Sequence, residues 1–306
     1  RRLPPRALLV AAGACLILMT VRYNVDLYRD KAVVQKGVPL AAIDTLQQPL
    51  TALQKKDLAA YTALLESSSL EARQKKARET IENVTGSYAS LYRDRTGRYE
   101  NALVNYLYLG LWDVLLFMFL GMAFYKLGII TGHAPQKVYW YLLLGGLGLG
   151  LILSYLRLQS MIYYNFNYIT FLKEGSFSYY ELGRAARALG IFGGIMLLWK
   201  SGLARGFFAL MKPVGQMAFT NYLMQSLLCG VVFYGIGFGL YGRLERWEIY
   251  GVMGAVWLFQ ILYSNIWMRY YRFGPMEWLW RSLTYWQRQP FRRDVQLPVE
   301  SRPAAV

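Results

Sequence analysis

The sequence has few charged residues, one histidine and two cysteines, and each scarcity excludes a class of protein or site. Only 17% of the 306 residues are charged, against about 25% in ordinary soluble domains, so we expect a membrane protein. The single histidine, His133, excludes a multi-histidine metal site within this chain. Cys15 and Cys229 both lie inside apolar runs, which favours two small buried side chains over a disulfide. We predict no metal and no cofactor, and there is no Ser-His-Asp order or H-E-x-x-H motif.

The residues that are abundant are apolar and basic. Hydrophobic residues make up 55% of the chain, aromatic residues make up 16%, and the formal net charge is +16. The mean hydropathy is +0.22. The basic excess clusters in short connections and in the C-terminal tail, where the positive-inside rule and anionic lipid headgroups explain it. We therefore predict that the partners are the lipid bilayer and anionic headgroups on its cytoplasmic side, and no nucleic acid.

Long apolar runs predict an all-α, polytopic transmembrane helix bundle of about six spans. None of the runs alternates in polarity as a barrel strand would, so helices are expected. Most of the runs have about the 17–25 residues that a bilayer core demands. The first span falls within residues 1–22, and the rest of the bundle within residues 101–270. The predicted apolar runs are Ala7–Val21, Leu103–Tyr125, Val138–Leu156, Ala185–Trp199 (extended from Glu181), Gln216–Tyr241 and Ile249–Met268.

Residues 23–100 form the one long polar segment. Within it, apolar residues recur at helical spacing, as in Leu58, Tyr61 and Leu65, which predicts two or three amphipathic helices. The count of Lys and Arg in the short connections places both chain ends in the cytoplasm and this segment outside the cell membrane. Residues 291–306 are predicted to be a disordered basic tail.

The stretch Arg272–Trp286 predicts an interfacial amphipathic helix on the cytoplasmic side, within residues 271–290. Gly274-Pro275 gives a turn followed by a proline at a first helical position. Glu277 and Arg281 are spaced for an i,i+4 ion pair. Rings with one polar edge suit the water–lipid boundary, and the stretch contains three such residues: Trp278, Trp280 and Trp286.

Glycine groups recur in three of the apolar runs. Gly145–Gly150, Gly190–Gly194 and Gly235–Gly239 each contain two small residues four apart. In membrane helices this spacing allows neighbouring backbones to approach closely. A phosphate-binding loop is not indicated, because no strand precedes these glycines and no Gly-Lys-Ser/Thr follows them.

Polar residues inside the apolar runs are candidates for a polar cavity. Asp113 lies near the middle of the run Leu103–Tyr125, where an ionisable group is costly. It is either a proton, ion or substrate contact, or an acid that is paired with a neighbouring helix or kept neutral by burial. Two further runs carry polar stripes, which either line a cavity or bond helix to helix. The stripe residues are Asn221 and Gln225 on one helix, and Gln260 and Ser264 on the next.

Two stretches resemble signatures of a known family. GQMAFTNYLMQSLLCGVVFYG (Gly215–Gly235) and RFGPMEWLWRSLTY (Arg272–Tyr285) resemble the C-terminal region of the YeiB-like bacterial membrane proteins, known as domain of unknown function 418. The similarity extends loosely from about Gly145 to Arg293. The positions that match the family pattern are Asn221, Tyr222, Gln225, Ser226, Gly274, Pro275, Glu277, Trp278, Trp280, Arg281 and Thr284.

The resemblance implies a multi-pass protein of the bacterial inner membrane, in a family without a settled activity. Its members have been labelled transport proteins, and they are distantly similar to transmembrane acyltransferases that acylate extracytoplasmic sugars. Full-length members carry further spans upstream, and this chain begins with Arg and not Met. We therefore expect a portion of a longer protein, with the transfer histidine and arginine upstream. Three functions remain open: group transfer to a small molecule or glycan, small-solute transport, and non-catalytic organisation of partner proteins.

Overall fold

The computed structural model of the chain describes residues 3–43, 49–105, 107, 110–174 and 177–293. These residues are mostly helical, and the only extended pairing among them is one antiparallel bridge between Tyr271 and Arg292. The all-α prediction is confirmed. The described helices are α1 (Pro5–Ala41), α2 (Ala52–Ser68), α3 (Leu70–Thr85), α4 (Tyr88–Asn105), α5 (Leu111–Lys126), α6 (Gln136–Tyr163), α7 (Tyr168–Glu174), α8 (Tyr180–Ser201), α9 (Arg205–Gln216), α10 (Ala218–Phe233), α11 (Arg246–Tyr270) and α12 (Pro275–Tyr285).

Four of the described helices, α1, α6, α8 and α11, are long and apolar enough to cross a membrane by length and composition. Only 6% of the apolar window of α6 and 17% of that of α11 is buried. A large outward-facing apolar surface is what lipid-exposed helices present, so the architecture is consistent with a helical membrane bundle. Helices α5 and α10 have 16 residues each, fewer than the roughly 20 that span a bilayer core. The number of six spans stays a prediction.

One predicted span has a different end in the structure, and another is not tested. In the run Leu103–Tyr125, α4 ends at Asn105 and α5 begins at Leu111, but residues 106, 108 and 109 lie outside the described residues, so a single helix over this run stays a prediction. The span predicted to reach Tyr241 ends at Phe233. A turn follows there, in which Gly239 has φ +63°. The third glycine group therefore lies in this turn and not in a helix as predicted, although a Cβ added to Gly235 would overlap the Thr85 carbonyl oxygen, so this glycine does allow two backbones to approach closely.

Helix α1 continues well beyond residue 22, the predicted end of the first span. Its second half and α7 share a buried apolar cluster of Leu27, Val34, Ile169 and Leu172. The described residues of the polar segment 23–100 therefore lie mainly in this half of α1 and in α2, α3 and α4. This half of α1 therefore has a protein partner on one side.

Polar bonds tie the same half of α1 to the connection between α6 and α8. The buried Asn24 accepts from the Ser178 N–H at 2.8 Å and donates to the Ser178 carbonyl at 3.1 Å. The Tyr168 hydroxyl donates to Asp30 at 2.7 Å. Burial, followed by this hydrogen bond, raises the pKa of the Tyr168 hydroxyl. The hydroxyl therefore stays a proton donor across the physiological pH range.

The chain divides into two compact units, within Arg1–Thr80 and Asp94–Leu203 for the first and within Ile81–Arg93 and Ala204–Val306 for the second. In the first unit α1 packs on α5, and α6 packs on α8. A Cβ added to Gly146 would lie 2.6 Å from the Gly190 nitrogen. The first two glycine groups thus bring two backbones together, as predicted.

The first unit has two ends with different chemistry. At one, which we call the lysine end, Lys126 donates to the Leu3 carbonyl and Lys200 donates to the Gly132 carbonyl. At the other, the segment end, residues 24–38 of α1 meet α7 and Ser178. The connections that carry Lys126 and Lys200 therefore lie at one end of the first unit, and the second half of α1 lies with the α6–α8 connection at the other.

In the second unit, α12 is followed by a short return of the chain. The Arg272 N–H donates to the Phe291 carbonyl at 2.9 Å, and the Arg293 N–H donates to the Tyr270 carbonyl at 3.1 Å. Residues 291–293, which we expected to begin a disordered tail, thus pair with the end of α11. The remainder of that predicted tail, residues 294–306, lies outside the described residues.

Candidate functional site

Glu277 of α12 caps the N-terminus of α10, in the second unit. The N-cap residue of α10, Met217, supplies no capping side chain. Instead Glu277 Oε1 accepts from the backbone N–H groups of Phe219 at 2.7 Å and Thr220 at 3.0 Å. Its Oε2 accepts from the Thr220 hydroxyl at 2.5 Å. A carboxylate here satisfies otherwise unpaired amides and complements the positive end of the helix dipole.

Thr220 in turn caps the N-terminus of α12. Its hydroxyl oxygen accepts from the Met276 N–H at 3.1 Å, in the first turn of α12. Gly274 makes this approach possible, since a Cβ there would overlap Glu277 Oε2 and lie 2.8 Å from Thr220 Oγ1. Pro275 occupies a first helical position, where its missing N–H costs nothing. The predicted Gly-Pro helix start is confirmed.

The predicted ion pair between Glu277 and Arg281 is wrong. Among the described residues Glu277 has no ion pair, and the Arg281 guanidinium lies over the Phe273 ring at 4.7 Å. An exposed i,i+4 pair contributes only about 0.2–0.5 kcal/mol. Two amides, a hydroxyl and a helix dipole are stronger partners for the carboxylate.

The tryptophans of α12 differ in their surroundings. Trp278 is partly buried, donates to the Gln289 carbonyl at 2.8 Å and has its ring 5.1 Å from that of Phe291. Trp280 and Trp286 are exposed. The interfacial position of the helix stays a prediction, although two exposed rings at its surface suit one.

Three residues of the predicted polar stripes form one buried group. Asn221 donates to the Ser264 hydroxyl at 2.9 Å and to the Val214 carbonyl at 3.2 Å. Gln260 donates to the Asn221 carbonyl at 2.7 Å. All three are nearly inaccessible to solvent, whereas Gln225 is exposed one turn further along α10. Of the two predicted roles, the contacts match bonding between helices.

In the first unit, Asp113 belongs to an ionic cluster at the segment end. It lies in the first turn of α5, and its predicted place near the middle of a span stays a prediction. Arg184 of α8 donates to Asp113 through both terminal nitrogens, at 2.5 and 3.4 Å. The same guanidinium donates to Glu181 Oε2 at 2.8 and 3.0 Å. One guanidinium thus serves two carboxylates, each of which keeps some exposure: 35% for Asp113 and 13% for Glu181.

The sequence pattern does not single out Arg184 and Glu181, since both lie at the predicted start of a span. Their i,i+3 spacing in a helix is a signal that could have indicated the pair. The sequence pattern also does not single out Arg157 of α6 and Arg187 of α8. These two residues line a groove of about 520 Å³.

The described residues offer no cluster of three or more His, Cys, Asp or Glu side chains that could hold a metal ion. His133 is exposed in the connection between α5 and α6, with Nδ1 2.8 Å from the Thr131 hydroxyl. Cys15 and Cys229 are both free thiols. The arrangement therefore offers ionic and hydrogen-bonding chemistry.

A family model described as "Protein of unknown function (DUF418)" matches residues 124–287, which is more than half of the chain. The matched range includes the reciprocal caps, the Asn221 group, Glu181 and Arg184, while Asp113 precedes it. The match agrees with the resemblance drawn from the two signatures. No solved structure matches the chain.

Curated relatives are also similar to parts of the chain. It is 34% identical to the uncharacterized protein YeiB of Escherichia coli (strain K12) over 176 residues, covering 56% of this chain and 44% of YeiB. It is 45% identical to the uncharacterized protein YxaH of Bacillus subtilis (strain 168) over 86 residues, covering 28% and 21%. An uncharacterized 39.9 kDa protein of Bacillus acidopullulyticus is 34% identical over 98 residues, covering 32% and 28%. The chain thus spans less than half the length of these relatives.

Proposed function

The chain belongs to the DUF418 family of proteins of unknown function, and from that premise we propose that it is part of a cell-membrane protein that transfers an acyl or similar group to an extracytoplasmic substrate. The substrate class is a small molecule or a glycan. The observation that carries the proposal is the cluster of Asp113, Glu181 and Arg184 at the segment end. Ionisable groups on apolar helices are costly and commonly mark substrate or ion pathways.

The cluster has a chemistry that fits an acceptor site. Arg184 is shared by two carboxylates, so the three side chains carry one excess negative charge. Their partial exposure leaves carboxylate oxygens able to accept hydrogen bonds from sugar or alcohol hydroxyls. We assign these residues a positioning role, in which they orient an acceptor hydroxyl, and no catalytic role.

The proposal includes a topology in the cell membrane. The lysine end faces the cytoplasm, and the segment end, with residues 23–100, faces outward. The grouping of Lys126 and Lys200 at one end supports this orientation through the positive-inside rule. A reporter enzyme that is active only outside the cytoplasm, fused after Glu66, is expected to be active. The same reporter after Lys137 is expected to be inactive, and the opposite pattern would contradict the topology.

The transfer reaction is tested by mass spectrometry of surface glycans and lipids from a deletion strain and its parent. The deletion is expected to remove an acyl or similar group, which the wild-type gene restores. Asp113→Asn and Arg184→Gln are expected to restore it poorly. Glu174→Gln, which changes an exposed carboxylate of α7, is expected to restore it fully. Identical profiles in the deletion strain and its parent would contradict transfer.

Small-solute transport is the second candidate, and the shared Arg184 favours it. A carboxylate pair that holds one guanidinium can exchange that partner for a proton or a cationic solute. Transport predicts unchanged glycans and lipids together with a solute that accumulates on one side of the membrane in the deletion strain. If deleting α2 and α3 abolishes a cellular phenotype that Asp113→Asn leaves intact, the result would contradict both group transfer and transport. It would favour the organisation of partner proteins.

A further inference from the structure

A groove in the first unit lies between α6 and α8. Its volume is about 520 Å³, within the range of roughly 300–1,000 Å³ that is usual for small-molecule sites. It is close to the segment end, because it includes the last turns of α6 and the first turns of α8. Its lining residues of greatest interest are two arginines, Arg157 and Arg187, and three apolar residues, Leu151, Leu158 and Met161.

The two arginines have no carboxylate partner among the described residues. The Arg157 guanidinium lies over the Tyr180 ring at 4.3 Å, and Arg187 donates to the Gly150 carbonyl at 3.3 Å. Neither lies within 4 Å of an Asp or Glu oxygen among residues that the structure describes. By contrast, Arg184 has two carboxylate partners, Asp113 and Glu181. Each guanidinium has five N–H donors, so both keep donors for an anion.

The apolar side of the groove opens outward. Leu151, Leu158 and Met161 are 58%, 48% and 38% exposed, and they belong to α6, whose apolar window is almost unburied. A ligand that matches this lining has a negative head for the arginines and an apolar chain for these three side chains. Basic pockets between membrane helices on the cytoplasmic side bind anionic lipid headgroups in this way, and the groove offers the same chemistry at the segment end.

We propose that the groove formed by Arg157, Arg187, Leu151, Leu158 and Met161 binds an anionic amphiphile, with its phosphate on the two guanidiniums and its chain along α6. Arginine suits a phosphate because its planar fork can donate two parallel hydrogen bonds. The cation–π contact with Tyr180 holds the Arg157 guanidinium at the groove, and its N–H groups remain as donors for the ligand. The inference goes beyond the proposed function, since it rests on membrane embedding and not on group transfer.

Lipid binding is measured on the purified chain in a neutral detergent by native mass spectrometry. The probes are dioleoyl phosphatidylglycerol and dioleoyl phosphatidylcholine, which share their chains and differ in net charge. We expect one phosphatidylglycerol to bind at least roughly ten-fold more tightly than phosphatidylcholine, a difference of about 1.4 kcal/mol. The Arg157→Gln/Arg187→Gln variant is expected to lose this preference. A variant that keeps it, or a wild-type chain without it, overturns the proposal.

The matched control removes two other exposed basic groups, by Lys137→Gln and Arg205→Gln, and is expected to keep the preference. If the double arginine variant fails to fold, Leu158→Ser replaces it. That variant keeps both charges, and it is expected to weaken both lipids while the preference for phosphatidylglycerol remains. Equal affinities for wild type and Leu158→Ser overturn the chain contact.

Inorganic phosphate separates a lipid from a soluble ligand. Millimolar phosphate is expected to leave phosphatidylglycerol bound, because phosphate alone lacks the apolar contacts. Displacement of the lipid by phosphate would identify a soluble anion as the ligand and overturn the amphiphile. Failure of this test leaves the glycan and lipid profiles of the deletion strain unaffected, so the two proposals fail separately.

Discussion

Glu277 and Thr220 complete each other's helices across 57 residues of chain. The carboxylate of Glu277 caps α10, and the hydroxyl that it accepts from belongs to Thr220, which caps α12. The two signatures that carry the family resemblance therefore contact each other through these mutual helix caps. A side chain at Gly274 would occupy the space in which Glu277 and Thr220 meet.

Replacing Glu277 by Ala is expected to lower the free energy of unfolding by about 2–3 kcal/mol, because two backbone amides and one hydroxyl lose a charged acceptor. Thermal unfolding in detergent measures the change. The control is Arg281→Ala, which removes a contact with the Phe273 ring worth about 0.5–1 kcal/mol. Equal losses for the two variants would show that the cap has no special role.

The glycines of α6 supply a second matched comparison. Gly146→Ala is expected to destabilise the chain by about 1–3 kcal/mol, since its Cβ would overlap the backbone of α8 at Gly190. Gly145→Ala adds the same methyl group where nothing lies within 4 Å. It is expected to be neutral or to stabilise by about 0.5–1 kcal/mol through the lower helix cost of Ala. The melting temperature of Gly146→Ala is therefore expected to be lower than that of Gly145→Ala. The opposite order would contradict close packing of α6 on α8.

Sequence patterns predicted what depends on neighbouring residues and missed what depends on distant ones. The Gly-Pro start of α12 was predictable because capping chemistry is local. The partner of Glu277 was not, since the local pattern offers Arg281 while the stronger acceptor site is on α10. Asp113 was predicted at mid-span because its flanks are apolar. Hydropathy does not indicate its partner, since Arg184 is 71 residues away in the chain.

Replacing Asn221 by Ala is expected to cost about 1–3 kcal/mol, because Ser264 and the Val214 carbonyl lose their partner in a buried place. Adding Ser264→Ala is expected to cost less than the sum of the two single changes, since the second removes a group already unpaired. Gln225→Ala is the control and should stay within about 0.5 kcal/mol, because Gln225 is exposed. A large effect of Gln225→Ala on cellular function, with stability unchanged, would favour the predicted cavity over bonding between helices.

The ionic cluster can be tested by a double-mutant cycle on Asp113 and Arg184. Arg184→Gln is expected to destabilise the first unit, because two neighbouring carboxylates lose their shared counter-charge. Asp113→Asn in that background is expected to restore part of the loss. The coupling energy is expected to be about 0.5–1 kcal/mol, since both side chains are about one-third exposed. It should fall as salt concentration rises.

A cycle of Asp113→Asn with Lys137→Gln is the control, because Lys137 lies in the first turn of α6 at the lysine end. The effects of these two substitutions on stability should add within about 0.5 kcal/mol. Additive effects of Asp113 and Arg184 would contradict the pairing itself. The double variant also separates structure from function. If it regains stability and still fails to restore the modified glycan or lipid, the charges of the cluster serve the substrate as well as the helices. If it restores both, the cluster only holds α5 against α8, and the outward site must be sought elsewhere on the segment end.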